Sequence, residues 1–222
     1  MICLKNKIAF IHIPKCGGTS VESVLLDLEE HKGDKNFYKM SSKDAEKFFV
    51  GTGEDRQHCD QKRIEEELVL LGEDLSNWRF LALVRDPCER IRSEVRYQLA
   101  TQRRARESKQ YKTESEAISS GIVWENAWQH HEKSAQQLLN GTSPVELIKL
   151  ESANTEFPRL IKEWTNRDVT LEVLNSSKKG EAEDLTEEAK AMVLQKWRGD
   201  FNLGGYPFPE FEGWKRYKEW SK

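Results

Sequence analysis

The hydrophobic positions of the chain form two kinds of run, one continuous and one periodic. Ile8–Ile13 and Trp78–Val84 are nearly continuous apolar runs, too short for a typical helix, and Val145–Leu150 is predicted as another strand. Apolar runs of this length are typical of buried β-strands. Val169–Val173 also alternates apolar and polar residues and is predicted as a further strand.

Longer segments repeat their apolar residues with the period of a helix. The run from Val21 to Leu28 follows two hydroxyl residues, Thr19 and Ser20, which suit a helix start. Pro87 suits the first turn of a long helix. Further helices are predicted over residues 60–71, within 115–139, over 153–164 and over 186–197, the last with Thr186 as its cap.

The order of these elements predicts the fold class. Strands that alternate with helices are typical of α/β proteins with a mainly parallel sheet. We therefore predict an α/β fold, a P-loop-like three-layer sandwich with a mostly parallel central sheet. No repeat, low-complexity tract or long linker divides the sequence, so residues 1–222 are predicted to form a single domain.

Composition and charge narrow the functional classes. The 35 Lys and Arg nearly balance 38 Asp and Glu, for a net charge of −3, which argues against a general nucleic-acid binder. Any anion site must therefore be local. No run approaches a membrane span, and no signal-peptide pattern opens the sequence, so we expect a cytoplasmic protein. The four cysteines form no CxxC pair and no metal-ligand spacing, which predicts free thiols and no bound metal.

The segment between the first strand and the first helix has the chemistry of an anion cradle. Two glycines let backbone N–H groups approach an oxyanion, and a helix N-terminus adds partial positive charge. A lysine supplies a full charge, and two hydroxyls follow it. The residues predicted to bind the anion are Lys15, Cys16, Gly17, Gly18, Thr19 and Ser20.

The position of the lysine distinguishes this loop from a Walker A motif. Walker A places its lysine after the last glycine, followed by a hydroxyl that holds Mg²⁺. Here Lys15 precedes Gly17 and Gly18. This order points away from ATP with magnesium and toward a phosphosulfate bound without metal.

The segment Ile11–Ser20 resembles the 5′-phosphosulfate loop of sulfotransferases that use 3′-phosphoadenosine-5′-phosphosulfate (PAPS), in the branch that includes the carbohydrate sulfotransferases. The resemblance implies that Lys15 contacts the phosphosulfate and stabilises the leaving group. A second segment, Phe80–Ser93, is similar to the family's other motif, a strand followed by Arg-Asp-Pro, Arg and Ser. By this resemblance Arg85 and Ser93 hold the 3′-phosphate, a role that suits an arginine fork. Asp86 is expected to cap or pair locally.

Sulfuryl transfer to a hydroxyl also needs a base. Related enzymes often carry a histidine between the two motifs, and His58 is the candidate here, although its charged neighbours depart from the commonest family pattern. Glu22, Glu54 and Asp55 are the alternative bases. His130-His131 is not expected to bind a metal, because adjacent helical residues face different directions.

The helix after the second motif is basic. Its cations are predicted to form a solvated face or, alternatively, to bind an anionic acceptor: Arg90, Arg92, Arg96, Arg103, Arg104, Arg106 and Lys109. Lys178–Gly180 is a further candidate contact to the 3′-phosphate. Trp214, Tyr217 and Trp220 recur at helical spacing, which favours core packing over a sugar platform.

These patterns predict a sulfotransferase that moves a sulfuryl group from PAPS to a hydroxyl of a glycan or other small acceptor, without metal. Two other functions stay open. One is a P-loop kinase acting on a nucleotide or adenylylsulfate, which the loop order disfavours. The other is a non-catalytic nucleotide-binding module, which the intact Lys15, Thr19, Arg85 and Ser93 oppose.

Overall fold

The computed structural model describes residues 1–35, 39–51, 56–105, 113–127, 129–172 and 184–210, without the side chains of residues 101–105, 129 and 130. The chain divides into two compact units. The first unit contains Met1–Arg85 and Ala135–Ser176, and the second contains Asp86–Ser134 and Ser177–Lys222. The prediction of a single domain over the whole chain stays a prediction.

The first unit contains a four-stranded sheet in the order β1-β2-β3-β4. The strands are β1 (Ile2–Cys3), β2 (Ile8–Ile11), β3 (Arg79–Val84) and β4 (Val145–Lys149). Strand β1 pairs with β2 antiparallel, whereas β2 with β3 and β3 with β4 are parallel. The predicted α/β class with a mostly parallel sheet is confirmed, and the arrangement is consistent with a three-layer sandwich.

Helices follow the strands of the first unit as predicted, except for α2, which the sequence analysis did not predict. They are α1 (Gly18–Leu28), α2 (Ser42–Phe48), α3 (Gln61–Leu70), α8 (Ala135–Leu138) and α9 (Ala153–Thr165). Strand β2 is buried at every position, and β3 from its second residue onward. The apolar runs of β2 and β3 therefore lie in the core, as parallel strands covered by helices require, whereas β4 buries only Ile148.

The second unit is helical in its described residues. It contains α4 (Pro87–Ala105), α5 (Glu114–Ser119), α6 (Ile122–Glu125), α7 (Gln129–Glu132) and α10 (Glu187–Gly204). Pro87 opens α4 as predicted, and the Thr186 hydroxyl accepts a hydrogen bond from the backbone N–H of Ala189, which confirms its cap. Helices α4, α5 and α10 share an apolar core around Trp124 and Trp197.

One predicted strand is wrong in its described part. Residues 169–172 form no strand, although Leu171 is buried and Glu172 is exposed. The apolar–polar alternation of this segment therefore reflects the burial of Leu171 and not the pairing of its backbone with another strand. Several other predictions lie outside the described residues: Glu54, Asp55, Lys178–Gly180, Trp214, Tyr217 and Trp220. Within the described part of the chain, no helix is both long enough and apolar enough to cross a membrane.

Candidate active site

The β2–α1 loop (residues 12–17) contains two residues with left-handed backbone conformation. Lys15 has φ 65° and Gly17 has φ 80°. Glycine adopts this conformation without steric cost, but a lysine there is strained by about 1–2 kcal/mol. Strain of this kind clusters at functional sites, so the loop geometry at Lys15 supports a functional hypothesis.

The N-terminus of α1 lacks a side-chain cap. Its N-cap is Gly17, which has no side chain to accept a hydrogen bond from the first turn. By contrast, five other helices have side-chain caps, whereas α6 and α9 resemble α1 in lacking one. The caps are Ser41 for α2, Asp60 for α3, Asp86 for α4, Thr113 for α5 and Thr186 for α10. Uncapped N–H groups and the helix dipole together form an anion site, so α1 offers what the capped helices have already satisfied.

Burial divides the predicted anion-binding residues into two sets. Lys15, Gly17 and Thr19 are partly exposed, whereas Cys16, Gly18 and Ser20 are buried. The Cys16 and Ser20 side chains therefore face the interior, and their expected contribution is through the backbone. The side chains that reach the open side of the loop are those of Lys15 and Thr19.

The two glycines are required for different reasons. A Cβ atom at Gly18 would lie 2.3 Å from the His12 ring, and one at Gly17 would lie 2.7 Å from Leu150 Cδ1. Gly17 also has the left-handed conformation described above. The His12 ring thus packs directly against Gly18, in the space that a side chain would occupy.

The structure brings Lys15 and Arg85 together. Strands β2 and β3 are parallel neighbours, so their carboxyl ends lie at the same edge of the sheet. The half-buried Arg85 donates a hydrogen bond from Nη1 to the Lys15 carbonyl oxygen at 3.3 Å. The two predicted motifs therefore meet through these residues.

The rest of the second motif belongs to the second unit. The Asp86 carboxylate accepts a hydrogen bond from the Glu89 N–H at 3.0 Å, so it caps α4 as predicted. Ser93 lies on α4 and is half-buried. Its contribution to a 3′-phosphate site stays a prediction.

Beneath the β2–α1 loop lies a buried polar group of side chains, here called the loop cluster: His12, Glu22, Gln57 and His58. All four are at most 6% exposed. The Glu22 carboxylate accepts a hydrogen bond from His12 Nδ1 at 2.7 Å and another from Gln57 Nε2 at 2.8 Å. The His12 and His58 rings meet edge to face, 4.4 Å between centroids. The predicted base therefore lies beside the predicted anion loop.

The hydrogen bond of His58 defines its tautomer. His58 Nδ1 lies 3.2 Å from the carbonyl oxygen of His12. A carbonyl oxygen only accepts, so Nδ1 must carry a hydrogen. In the neutral ring the lone pair then resides on Nε2, which is the form a general base requires.

Glu22 is poorly placed to act as the base. It is 1% exposed, and both of its oxygens accept hydrogen bonds within the loop cluster. From the sequence, Glu22 was expected only as an alternative base, and its contact with His12 was not expected. The pairing of the two depends on the packing of α1 against β2, for which the sequence gives no direct signal.

The basic face of α4 is largely occupied within the second unit. Arg92 and Arg96 both pair with Glu114, at 2.6 and 2.7 Å. Burial acts to lower the pKa of Arg92, but the hydrogen bond and charge of Glu114 raise it overall.

Arg90 is 1% exposed and pairs with Asp200. The prediction of a solvated face is therefore wrong for Arg90 and Arg92, and these pairs do not favour an acceptor site there. The structure does not describe Arg106, Lys109 or the side chains of Arg103 and Arg104.

The four cysteines are free thiols, as predicted. Burial raises the pKa of Cys3 to about 12, and burial with the charges of Asp86 and Glu89 does the same for Cys88. Thiols with such pKa values stay protonated at neutral pH and are poor nucleophiles.

A comparison with protein families supports the interpretation of the two motifs. The profile of the sulfotransferase family matches residues 1–197, which include the β2–α1 loop, His58, Arg85 and Ser93. No curated protein and no solved structure matches the chain significantly. Because the match covers most of the chain, the protein belongs to the sulfotransferase family and is a sulfotransferase.

Proposed function

We propose that this sulfotransferase uses PAPS as its donor and a hydroxyl, most simply that of a glycan, as its acceptor. The observation that carries the proposal is the uncapped N-terminus of α1, with Lys15 and Arg85 beside it at one edge of the sheet. The 5′-phosphosulfate would bind at the β2–α1 loop and the first turn of α1. The 3′-phosphate would bind Arg85 and Ser93. The glycan acceptor and a cytoplasmic location rest on the sequence alone.

The proposed reaction is an in-line transfer. The acceptor oxygen forms a bond to sulfur while the bond from sulfur to the 5′-phosphate oxygen breaks. The hydroxyl proton passes to His58 Nε2, and the electron pair of the broken bond stays on 3′,5′-ADP. No metal is needed in this scheme, because the developing charge lies beside Lys15, Thr19 and the α1 N–H groups.

The roles of Lys15 and His58 follow from where charge changes. Negative charge grows on the leaving phosphate, so a cation at Lys15 stabilises the transition state more than the ground state. Positive charge grows on the base, and the carbonyl oxygen of His12 accepts a hydrogen bond from the Nδ1–H that faces it. The tautomer of His58 thus matches the proposed role.

Binding and transfer experiments test the donor. Calorimetry should detect 3′,5′-ADP and should not detect ATP with magnesium at comparable affinity. Transfer of labelled sulfate from PAPS should be measured against a panel of saccharides and other hydroxyl compounds, with and without EDTA. Binding of ATP-magnesium without 3′,5′-ADP, or activity that EDTA abolishes and magnesium restores, would favour the kinase. Nucleotide binding without transfer to any acceptor would favour the non-catalytic module.

The base has its own test. His58→Ala should nearly abolish transfer to the acceptor found in the panel, while 3′,5′-ADP affinity stays within about twofold of wild type. His58→Gln should not restore the rate, because an amide does not take the proton. The matched control is His31→Ala, a partly buried histidine of the same unit outside the site. A His58→Ala variant that keeps most of its activity would remove the base assignment and leave the donor proposal standing.

A further inference from the structure

We propose that Glu22 is a positioning residue that holds the donor loop and the base in one arrangement. The inference rests on the proposed function, since it assumes that the β2–α1 loop binds PAPS and that His58 takes the proton. Its basis is the bonding of the two carboxylate oxygens, each of which accepts a hydrogen bond from a different part of the site. Glu22 itself would touch neither substrate.

One oxygen of Glu22 acts on the loop. Oε1 accepts a hydrogen bond from His12 Nδ1, and the His12 ring packs against Gly18 at the start of α1. Rotation of the ring would either collide with Gly18 or leave a gap beneath it. Fixing the ring therefore fixes the backbone whose N–H groups are proposed to face the phosphosulfate.

The other oxygen acts on the base. Oε2 accepts a hydrogen bond from the side chain of Gln57, the residue immediately before His58. The His58 ring is held separately by the His12 carbonyl oxygen and by its edge-to-face contact with the His12 ring. The backbone and the ring of His58 are thus both fixed by residues that bond to Glu22.

An ionised carboxylate suits this position, because it is the side chain that accepts at both oxygens without donating. A glutamine at position 22 would direct an N–H₂ group at either His12 Nδ1 or Gln57 Nε2. In the first case the hydrogen of His12 must move from Nδ1 to the other ring nitrogen, and in the second the Gln57 amide must turn over. Glu22→Gln keeps the shape of the side chain but breaks the pattern of donors.

Three variants separate the effect of Glu22 on the base from its effect on the donor loop. Gln57→Met removes the contact to Oε2 and should lower turnover with 3′,5′-ADP affinity within about twofold of wild type. His12→Asn keeps an N–H donor for Glu22 but removes most of the ring beneath Gly18, so it should weaken 3′,5′-ADP binding more than it lowers turnover. Glu22→Gln should weaken 3′,5′-ADP binding and also lower turnover, by about tenfold or more.

The matched control is Glu65→Gln. Glu65 is a buried glutamate of the same unit, 6% exposed, that also accepts a hydrogen bond from a glutamine amide, Gln61 Nε2, at 2.8 Å. It contacts the backbone of Thr142 and Ser143. Its loss should lower thermal stability without changing turnover or nucleotide affinity below the unfolding transition.

Two readouts distinguish positioning from general structural support. The ¹⁵N chemical shifts of the histidine rings should show hydrogen on Nδ1 of His12 in the wild type and a changed pattern at His12 or at the Gln57 amide in Glu22→Gln. In addition, the turnover loss of Glu22→Gln combined with His58→Ala should be clearly smaller than the product of the two single losses, because part of the effect of Glu22 acts through His58.

A failure of the Glu22 proposal can be distinguished from a failure of the proposed function. Lys15→Ala, measured in parallel, tests the donor site without involving Glu22. If Lys15→Ala loses turnover while Glu22→Gln keeps both turnover and affinity within about threefold, Glu22 has no positioning role. The same conclusion follows if the losses of Glu22→Gln and His58→Ala multiply. If Lys15→Ala keeps its turnover, the donor proposal itself fails.

Discussion

The described residues include two buried histidine–glutamate pairs, one in each unit. His12 Nδ1 lies 2.7 Å from Glu22 in the first unit, and His131 Nδ1 lies 2.6 Å from Glu94 in the second. Every one of these side chains is at most 7% exposed. By distance, burial and residue type the two pairs are nearly the same.

Their surroundings differ. Around Glu94, the carboxylate accepts a second hydrogen bond from Gln98, whose amide also donates to the Val123 carbonyl oxygen, and His131 packs near the Tyr97 ring. These contacts join helices of one unit. Around Glu22, the contacts lead instead to Gly18 in a strained loop and to a second histidine. The chemistry of the pair alone does not indicate a function; the residues that it holds in place do.

The comparison predicts that changes in the helical unit act on stability, with Arg90 giving the largest effect. Its Nη1 pairs with Asp200 at 3.0 Å, and its guanidinium lies 4.2 Å from the Trp197 ring centroid. Arg90→Ala removes the cation of a buried ion pair and should cost about 3–5 kcal/mol of unfolding free energy.

Chemical denaturation of Arg90→Ala provides the measurement. The matched control is the double variant Arg90→Met with Asp200→Leu, which removes both charges and should recover most of the loss. A single variant as stable as wild type would show that the pair does not support the helical unit, and would weaken the contrast between the two regions.

Changes at the β2–α1 loop should act on chemistry instead. Lys15→Ala should lower turnover by about 10²–10³-fold, the range for removing one group that stabilises transition-state charge. The strained φ of 65° offers a control for folding, since Lys15→Gly relieves the strain. Lys15→Gly should lose the same activity without losing thermal stability. Turnover within about threefold of wild type for either variant would contradict the role of Lys15.

Most strands and helices of the two regions were accessible from the sequence, because they depend on local patterns. Apolar runs identified β2, β3 and β4, and Pro87 and Thr186 marked the starts of α4 and α10. The parallel order of β2 and β3 follows from the helices between them, and it brings Lys15 and Arg85 to one sheet edge. Contacts between residues distant in sequence were not accessible. That Gly18 is required by the His12 ring, and that Arg90 pairs with a residue 110 positions away, depends on packing.

Arg85 sharpens the comparison, because it lies five residues before Arg90 and has a different setting. Arg85 is half-buried against the Lys15 carbonyl oxygen, whereas Arg90 is fully buried within its unit. Arg85→Ala should weaken 3′,5′-ADP binding by about 10–100-fold and 5′-AMP binding much less, since only the first ligand carries a 3′-phosphate. Ser93→Ala should show the same preference more mildly. Calorimetry with both nucleotides gives the answer, and equal weakening would place Arg85 outside the 3′-phosphate site.

The smallest expected effect concerns Glu65, a buried carboxylate with no histidine partner. Burial acts to raise its pKa, but the N–H groups of Ser143 and Thr142 and the Gln61 amide lower it, and the net direction is below the ordinary value of 4.5. A pKa lowered by folding contributes stability that is present above the unfolded value and is lost as the pH falls through the folded value. Glu65→Gln lacks this contribution, so its unfolding free energy should fall less steeply than that of wild type below pH 4.5.

Denaturant titrations at a series of acidic pH values measure how steeply the unfolding free energy falls. The control is Glu66→Gln, at an exposed neighbour on α3. If Glu65→Gln keeps the wild-type slope, the acid sensitivity of the first unit arises from groups other than Glu65.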